Sequence, residues 1–277
     1  MTQITAAAVK SLRERTGLPM MDCKKALLET DGDEQAAVEE LRKKGIKTQE
    51  TKSGSRATSQ GRIGLYVDFE SPVAAMIELQ CESAPVAGNP EFVQLAADIA
   101  QQLAIGPGAA DPEALWDQPS PGNQGMTLRE QKDELYNRIR EAFKLSRIVR
   151  IDATCGAYAH HAGAIKGVLL EVSGGTAQAA KDVCMHIAAM NPSAVSKDDL
   201  DPGLVAKERE ILSEAARKEG KPENIIEKMI DGRMRQFYEQ QVLGEQKFVK
   251  DDSQTVGKYA GTAGMKLVRF VHWQLGE

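Results

Sequence analysis

The sequence predicts an α+β protein: an N-terminal three-helix domain, followed by two small antiparallel-sheet and helix core subdomains with an inserted helical hairpin. Three observations carry that prediction. The first 45 residues hold only helical spacing of apolar positions. After residue 61 the pattern turns mixed, with apolar strand-like runs that lead into apolar helices. A strand pattern then occurs twice, as Gly64-x-Tyr66 and as Gly156-x-Tyr158, each followed by a turn, an apolar strand and an apolar helix. The expected divisions are residues 1–46 for the three-helix domain, 47–61 for a linker, 62–145 for core subdomain N and 146–277 for core subdomain C.

In the first domain Thr5 is a suitable N-cap, and Ile4 before it can staple onto Val9. Val9 and Leu12 make the buried stripe of the first helix, and Gly17 lies just past its end. A second helix is expected over Met20 to Thr30, with Cys23, Ala26 and Leu27 inward. Asp31-Gly32-Asp33 turns the chain, and Asp33 caps a third helix through Ala37, Val38 and Leu41 to Gly45. Such short helices hold only by packing on one another. The stretch from Lys47 to Gly61 is polar and rich in Gly, Ser and Thr, as a linker would be.

Ile63 to Phe69 and Val73 to Cys81 read as an antiparallel hairpin. Asn89-Pro90-Glu91 starts a helix whose buried face is Phe92, Leu95, Ala96, Ile99 and Leu103. Gly106 to Gly125 reads as a loop, and Leu128 to Lys144 as an amphipathic helix. The second unit repeats the scheme with a strand over Gly167 to Val172 and a helix over Ala177 to Met190. Residues 198–241 form two charged helices parted by Gly220-Lys221-Pro222, an αα-hairpin inserted before a last strand at Leu267 to Leu275. Leu204, Ile211 and Leu212 on its first helix could meet Ile226, Met229, Ile230 and Phe237 on its second. The hairpin could pair between chains, giving a homodimer, or lie on its own core.

Thirty-five Lys and Arg against 40 Asp and Glu leave a net charge of −5, so direct nucleic-acid binding is not expected. No apolar run reaches the roughly 20 residues of a membrane helix, and the N-terminus lacks a signal-peptide layout. Cys23, Cys81, Cys155 and Cys184 are far apart and form no Cys-x-x-Cys pair, which points to reduced thiols in a cytoplasmic protein. The sequence has no P-loop, no dinucleotide fingerprint, no His-Glu-x-x-His and no nucleophile elbow. No cofactor is expected from these motifs.

Two features stand out as contact candidates. His160-His161 are adjacent, so on a strand they face opposite ways and are poorly placed to share a metal. They make a partner-contact loop or a plain exposed turn. Met20 and Met21 are about 100° apart on a helix, so a small core cannot take both. Either one is buried and the other incidental, or they offer an adaptable apolar contact. By contrast, Ser83-Ala84-Pro85-Val86 reads as an ordinary strand-to-helix loop.

The run Leu12-Arg13-Glu14-Arg15-Thr16-Gly17-x-x-Met20-Met21-Asp22-Cys23-Lys24-Lys25-Ala26-Leu27 closely resembles the N-terminal signature of the translation elongation factor Ts family. Further agreement includes Glu78-x-x-Cys81-Glu82, Tyr158-Ala159-His160-His161, Gly220-Lys221-Pro222, Gly232-Arg233-Met234 and Ser253-x-Thr255-Val256-Gly257. The resemblance implies that the three helices are ubiquitin-associated-like. It implies a guanine nucleotide exchange factor for elongation factor Tu, which binds the GDP form, promotes GDP and Mg²⁺ release and lets GTP rebind. Arg13, Met20 and Met21 match the family's N-terminal contacts with the GTPase. His160 and His161 match a contact from the second core subdomain. A C-terminal helical module found in some members has no counterpart after the last expected strand.

One departure concerns the family's Thr-Asp-Phe-Val wedge, whose acid and ring act near the GTPase's Mg²⁺. The matching positions here are Ser83, Ala84, Pro85 and Val86. Pro85 is smaller than Phe and conformationally fixed. Either the wedge survives as a shorter apolar tip, or the partner has changed to suit it, or exchange is weak. The last case would leave an interaction protein that binds elongation factor Tu or the ribosome with little or no exchange.

Overall fold

A computed structural model describes residues 4–53, 57–160, 163–218 and 223–277 of the chain. The N-terminal domain has the three expected helices, α1 (Ala6–Thr16), α2 (Met20–Glu29) and α3 (Glu34–Ser53). Thr5 Oγ1 accepts from the Ala8 N–H at 3.2 Å. Gly17, at φ +68°, closes α1 by donating its N–H to the Arg13 carbonyl. Val9, Leu12, Leu18, Cys23, Leu27 and Leu41 are buried together, with Ile4 packed against them. α3 runs on through Gly45 to Ser53, so the first part of the expected 47–61 linker is helical. Its Lys, Gln and Glu residues favour helix even without an apolar period.

The core contains two three-stranded antiparallel sheets. The first is ordered β1 (Gln60–Asp68), β2 (Val73–Cys81), β3 (Lys144–Ile151). A single helical turn, α4 (Ala84–Ala87), follows β2 and leads to α5 (Pro90–Ile105). The second sheet contains β4 (Cys155–Ala159) and β5 (Lys166–Gly174), followed in the chain by helix α8 (Ala177–Met190). A small ladder of β6 (Lys247–Phe248) and β7 (Asp251–Thr255) precedes β8 (Met265–Gln274), which pairs with β5.

Strand alternation builds four layers, helix on sheet on sheet on helix. Ala75, Ile77, Leu79 and Cys81 of β2 face α5 through Phe92, Leu95, Ile99 and Leu103. The opposite face presents Ile63, Ala74 and Met76 to Cys155 and Leu169 of the second sheet. Val168, Leu170 and Val172 of β5 in turn meet Val183, Cys184 and Ile187 of α8. A Cβ on Gly64 would lie 2.6 Å from the Ala96 carbonyl oxygen, and one on Gly156 would lie 2.5 Å from Ala180 Cβ. The repeated Gly-x-Tyr pattern therefore marks two strands that their helices approach too closely for a side chain.

Several elements differ from expectation. The Gly106–Gly125 loop contains α6 (Pro112–Trp116), where Asp111 Oδ1 accepts from the Ala114 N–H and Leu115 and Trp116 are buried. The next helix, α7 (Leu128–Ile139), stops before Lys144 because Arg140 turns left-handed at φ +65° and the chain enters β3. The 145/146 division falls inside β3, which pairs with β2 and belongs to the first sheet.

The inserted hairpin consists of α9 (Pro202–Lys218) and α10 (Glu223–Gln241), with Gly220-Lys221-Pro222 outside the described residues. Its seam is formed by Val205, Leu212 and Ala216 against Ile226, Ile230, Met234 and Phe237. Leu204 and Ile211 are exposed instead of lying in that seam. The short helix α11 (Val256–Thr262) packs before β8.

Candidate partner-binding surface

The contact residues expected at the N-terminus all face outward. Arg13 is exposed on α1. Met20 and Met21 are 46% and 62% exposed, because Cys23, Ala26 and Leu27 supply the inward face of α2. Neither methionine fills the three-helix core. Both offer flexible thioether side chains to solvent at the helix start.

The Ser83–Val86 segment is a turn of helix rather than a plain loop. Ala84 and Pro85 are exposed, whereas Val86 is half-buried against the α5 core. Ser83 occupies the N-cap position but spends its side chain elsewhere. Its Oγ donates to Glu141 Oε1 at 2.6 Å, and its backbone N–H donates to Glu141 Oε2 at 3.0 Å. In return the Ala142 N–H donates to Glu82 Oε1 at 2.7 Å. Residues 82–83 and 141–142 thus clasp each other with two carboxylates. The Cys81 thiol donates to the Ser83 carbonyl, and burial, with Glu141 nearby, pushes its pKa up to about 11. It stays a neutral donor at physiological pH.

The same chain segment reaches the N-terminal domain. Arg140 Nη2 pairs with Asp22 Oδ2 at 3.0 Å, one residue after Met21. Arg42 on α3 pairs with Glu130 on α7, and Arg138 packs beneath Gly17. Two of the expected contact regions are therefore tied to adjacent residues, Arg140 and Glu141.

His160 is exposed at the end of β4, with Nδ1 3.0 Å from the Tyr158 hydroxyl. His161 lies outside the described residues. The loop is anchored where the Ile63 N–H donates to the Ala164 carbonyl at 2.7 Å. Its neighbour Arg62 donates to the Ala87 carbonyl, at the end of the α4 turn, at 3.2 Å. Burial lowers the Arg62 pKa. The histidine loop and the turn thus meet consecutive residues of β1.

The sequence offers no role for Glu141, Arg140 or Arg62, and Asp22 and Glu82 enter it only as letters of the family motifs. The 58-residue separation between Ser83 and Glu141 hides that pair from any local pattern. A carboxylate two residues beyond a helix end carries no signal of its own. Among the described residues, no group of three His, Cys, Asp or Glu is placed to hold a metal ion. No described helix is long and apolar enough to cross a membrane.

The family described as Elongation factor TS matches residues 82–277. The chain belongs to the elongation factor Ts family. It is 43% identical over 277 residues to elongation factor Ts of Alkalilimnicola ehrlichii, covering 99% of this chain and 92% of that protein. It is 42% identical over 277 residues to elongation factor Ts of Methylococcus capsulatus, with the same coverage of both. Identity to elongation factor Ts of Hydrogenovibrio crunogenus is 41% over 276 residues, again 99% of this chain and 92% of the relative. The elongation factor Ts match begins at Glu82, so it takes in the clasp and everything after it.

Proposed function

We propose that this chain is a cytoplasmic guanine nucleotide exchange factor, which binds elongation factor Tu·GDP and promotes release of GDP and Mg²⁺ so that GTP can rebind. It makes and breaks no covalent bond of its own. One observation carries the proposal: segments assigned to partner contact by resemblance, far apart in sequence, are held by a few neighbouring residues. Asp22 meets Arg140 and Ser83 meets Glu141. The Ala164 end of the histidine loop meets Ile63, beside the Arg62 that holds Ala87. Arg13, Met20, Met21, Ser83, Ala84, Pro85, Val86, His160 and His161 are the proposed contacts. A surface fixed before binding loses less ordering entropy when a partner arrives.

Exchange also has a thermodynamic signature. Whatever factor by which the protein weakens GDP binding, GDP weakens the protein's own binding to the GTPase. The experiment is release of fluorescent GDP from the cognate elongation factor Tu, with and without this protein, joined to affinity titrations at low and high GDP. The expected result is faster release and an affinity that falls roughly 5–150-fold as GDP saturates. Replacing Pro85 with Gly and Val86 with Ala together should slow release if the turn acts as a short apolar wedge.

A second reading is favoured by the turn itself, where Ala84 carries no charge and Pro85 no ring. On that reading the protein binds elongation factor Tu without exchanging its nucleotide. Equal affinity at both GDP concentrations, with unchanged release, would select it.

A further inference from the structure

We infer that Arg140 and Glu141 are positioning residues, which hold the Met20–Met21 end of α2 and the Ser83–Val86 turn in one fixed relation. The inference rests on the exchange reading above and assigns a role to two residues that touch no partner in it.

The α4 turn is only four residues long, too short to persist by its own hydrogen bonds. Its entry is fixed from outside, by Glu141. Both carboxylate oxygens are used, one on the Ser83 N–H and one on the Ser83 hydroxyl. Hydrogen bonds to an ionised acceptor are stronger than neutral ones, and this pair is partly buried. The return bond from the Ala142 N–H to Glu82 makes the clasp reciprocal. Ala84 and Pro85 remain exposed, so the clasp steadies the turn without covering it.

Arg140 supplies the second half of the arrangement. It ends α7 in a left-handed conformation at φ +65°, with its N–H on the Tyr136 carbonyl at 2.7 Å. Residues other than Gly and Asn seldom adopt that conformation. A strained residue held in place by its surroundings points to a geometric requirement there. At this position the reversal sends Arg140 to Asp22 on α2 while Glu141 goes to Ser83. The Arg140 and Asp22 side chains are 39% and 42% exposed. It is therefore the weaker and more salt-sensitive arm. Glu141 is the stronger arm.

The test measures GDP release from elongation factor Tu against concentration of the wild-type protein, Glu141→Ala, Glu141→Gln and Arg140→Ala. It is joined to amide hydrogen exchange of the same proteins alone. Glu141→Ala is expected to lower the maximal release rate about tenfold, since small misplacement of an acting group costs rate steeply. Its half-saturating concentration should change less than about threefold, because most of the contact surface survives. Glu141→Gln should keep the rate, since its amide offers an oxygen to the Ser83 N–H and an N–H to the Ser83 Oγ. That rescue separates positioning from a charge effect on the partner. Arg140→Ala should mainly raise the half-saturating concentration.

In the free protein, the Ser83–Gly88 amides should exchange faster in Glu141→Ala but not in Glu141→Gln, with β2 unchanged. Unaltered exchange of those amides in Glu141→Ala would overturn the inference. So would a wild-type release rate from that variant. If the wild-type protein itself leaves GDP release unchanged, the exchange reading fails first, and this role is overturned with it.

Discussion

The first core unit leaves β2 through an extra turn of helix, Ala84–Ala87, before α5 begins. The second passes from β5 to α8 across only Gly175 and the capping Thr176. The strand ladders of the two units correspond in register. Gly64 pairs with Ile77 as Gly156 pairs with Leu170, and Tyr66 with Ala75 as Tyr158 with Val168. Glu78 stands opposite Arg147 beside a ladder irregularity, and Glu171 stands opposite Arg269 beside another. What the units share is the packing scheme. The proposed contacts of the core lie where the units part company: in the extra turn, and in the longer β4–β5 loop with His160. The shared scaffold can thus be probed apart from the proposed contacts, beginning with the matched pairs.

The matched ion pairs sit in different environments. Glu78 is 1% exposed, and both Nε and Nη2 of Arg147 reach its Oε2, at 2.8 and 2.6 Å. Glu78 also accepts from Gln80 and from the Gly276 N–H, while Arg147 donates to the Gln274 carbonyl and stacks 4.6 Å from the Trp273 ring. The pair therefore ties the first sheet to the end of the second. Glu78→Ala strands a guanidinium with much of its burial intact, so a loss of about 3 kcal/mol is expected. Urea denaturation with a two-state fit measures it. A loss below that of the corresponding Glu171→Ala variant would break the comparison.

The glycine pair tests whether the two helices approach their strands equally. Gly64→Ala brings Cβ against a backbone oxygen, and Gly156→Ala brings it against Ala180 Cβ. Overpacking of that kind costs about 2 kcal/mol. Both variants should lose stability by similar amounts on urea denaturation. If one is neutral, that unit's helix is free to retreat and the close approach is not required there.

These glycines also show what the sequence could disclose. The Gly-x-Tyr echo was legible because both residues sit on one short strand, and so were α1, α5 and α8, whose caps or apolar faces are local. β3 was not legible: Arg147 and Arg150 interrupt its apolar run, and their partners, Glu78 and the Leu103 and Gly106 carbonyls, lie far away in sequence. The end of α7 was missed because Arg140 does the turning usually signalled by glycine. On α9, spacing pointed to Leu204, Ile211 and Leu212; only Leu212 lies in the seam, and the partner helix selects Val205 in place of the exposed Leu204 and Ile211. Helix geometry foretold that at least one of Met20 and Met21 is exposed but not that both are, and the clasp is entirely long-range.

The second unit has a buried histidine and the first has none, since all four histidines follow residue 146. His186 is fully buried on α8, with Nε2 2.8 Å from Gln246 Oε1 and Nδ1 accepting the Val249 N–H at 3.2 Å. Burial lowers its pKa, opposed by the Gln246 bond. Nδ1 must stay unprotonated to keep Val249. The unfolded chain then binds the extra proton first, so stability is complete above the ordinary imidazole value of about 6.5 and falls with pH below it. One proton gives a slope of at most about 1.4 kcal/mol per pH unit. Urea midpoints at pH 7.5 and 5.5 should differ more for the wild-type protein than for His186→Gln. An equal difference would remove His186 from the account.

The smallest effect sharpens the comparison most. Glu171 and Arg269 stand in the same register as Glu78 and Arg147, and their Nε–Oε2 distance of 2.6 Å is just as short. The shortest N–O distance alone would therefore assign both pairs the same strength, although Arg147 makes two such contacts and Arg269 one. Solvent decides otherwise: the Arg269 side chain is 62% exposed, against 29% for Arg147. Water screens the outer pair and re-solvates whichever partner is left behind, so Glu171→Ala should cost only about 0.5 kcal/mol. Added salt should shrink that small loss further, while the loss in Glu78→Ala should hardly change. Denaturation of both variants at low and high ionic strength reads the two responses side by side. A salt-insensitive loss of several kcal/mol in Glu171→Ala would show that β8 is covered in solution and that the two units are buried alike.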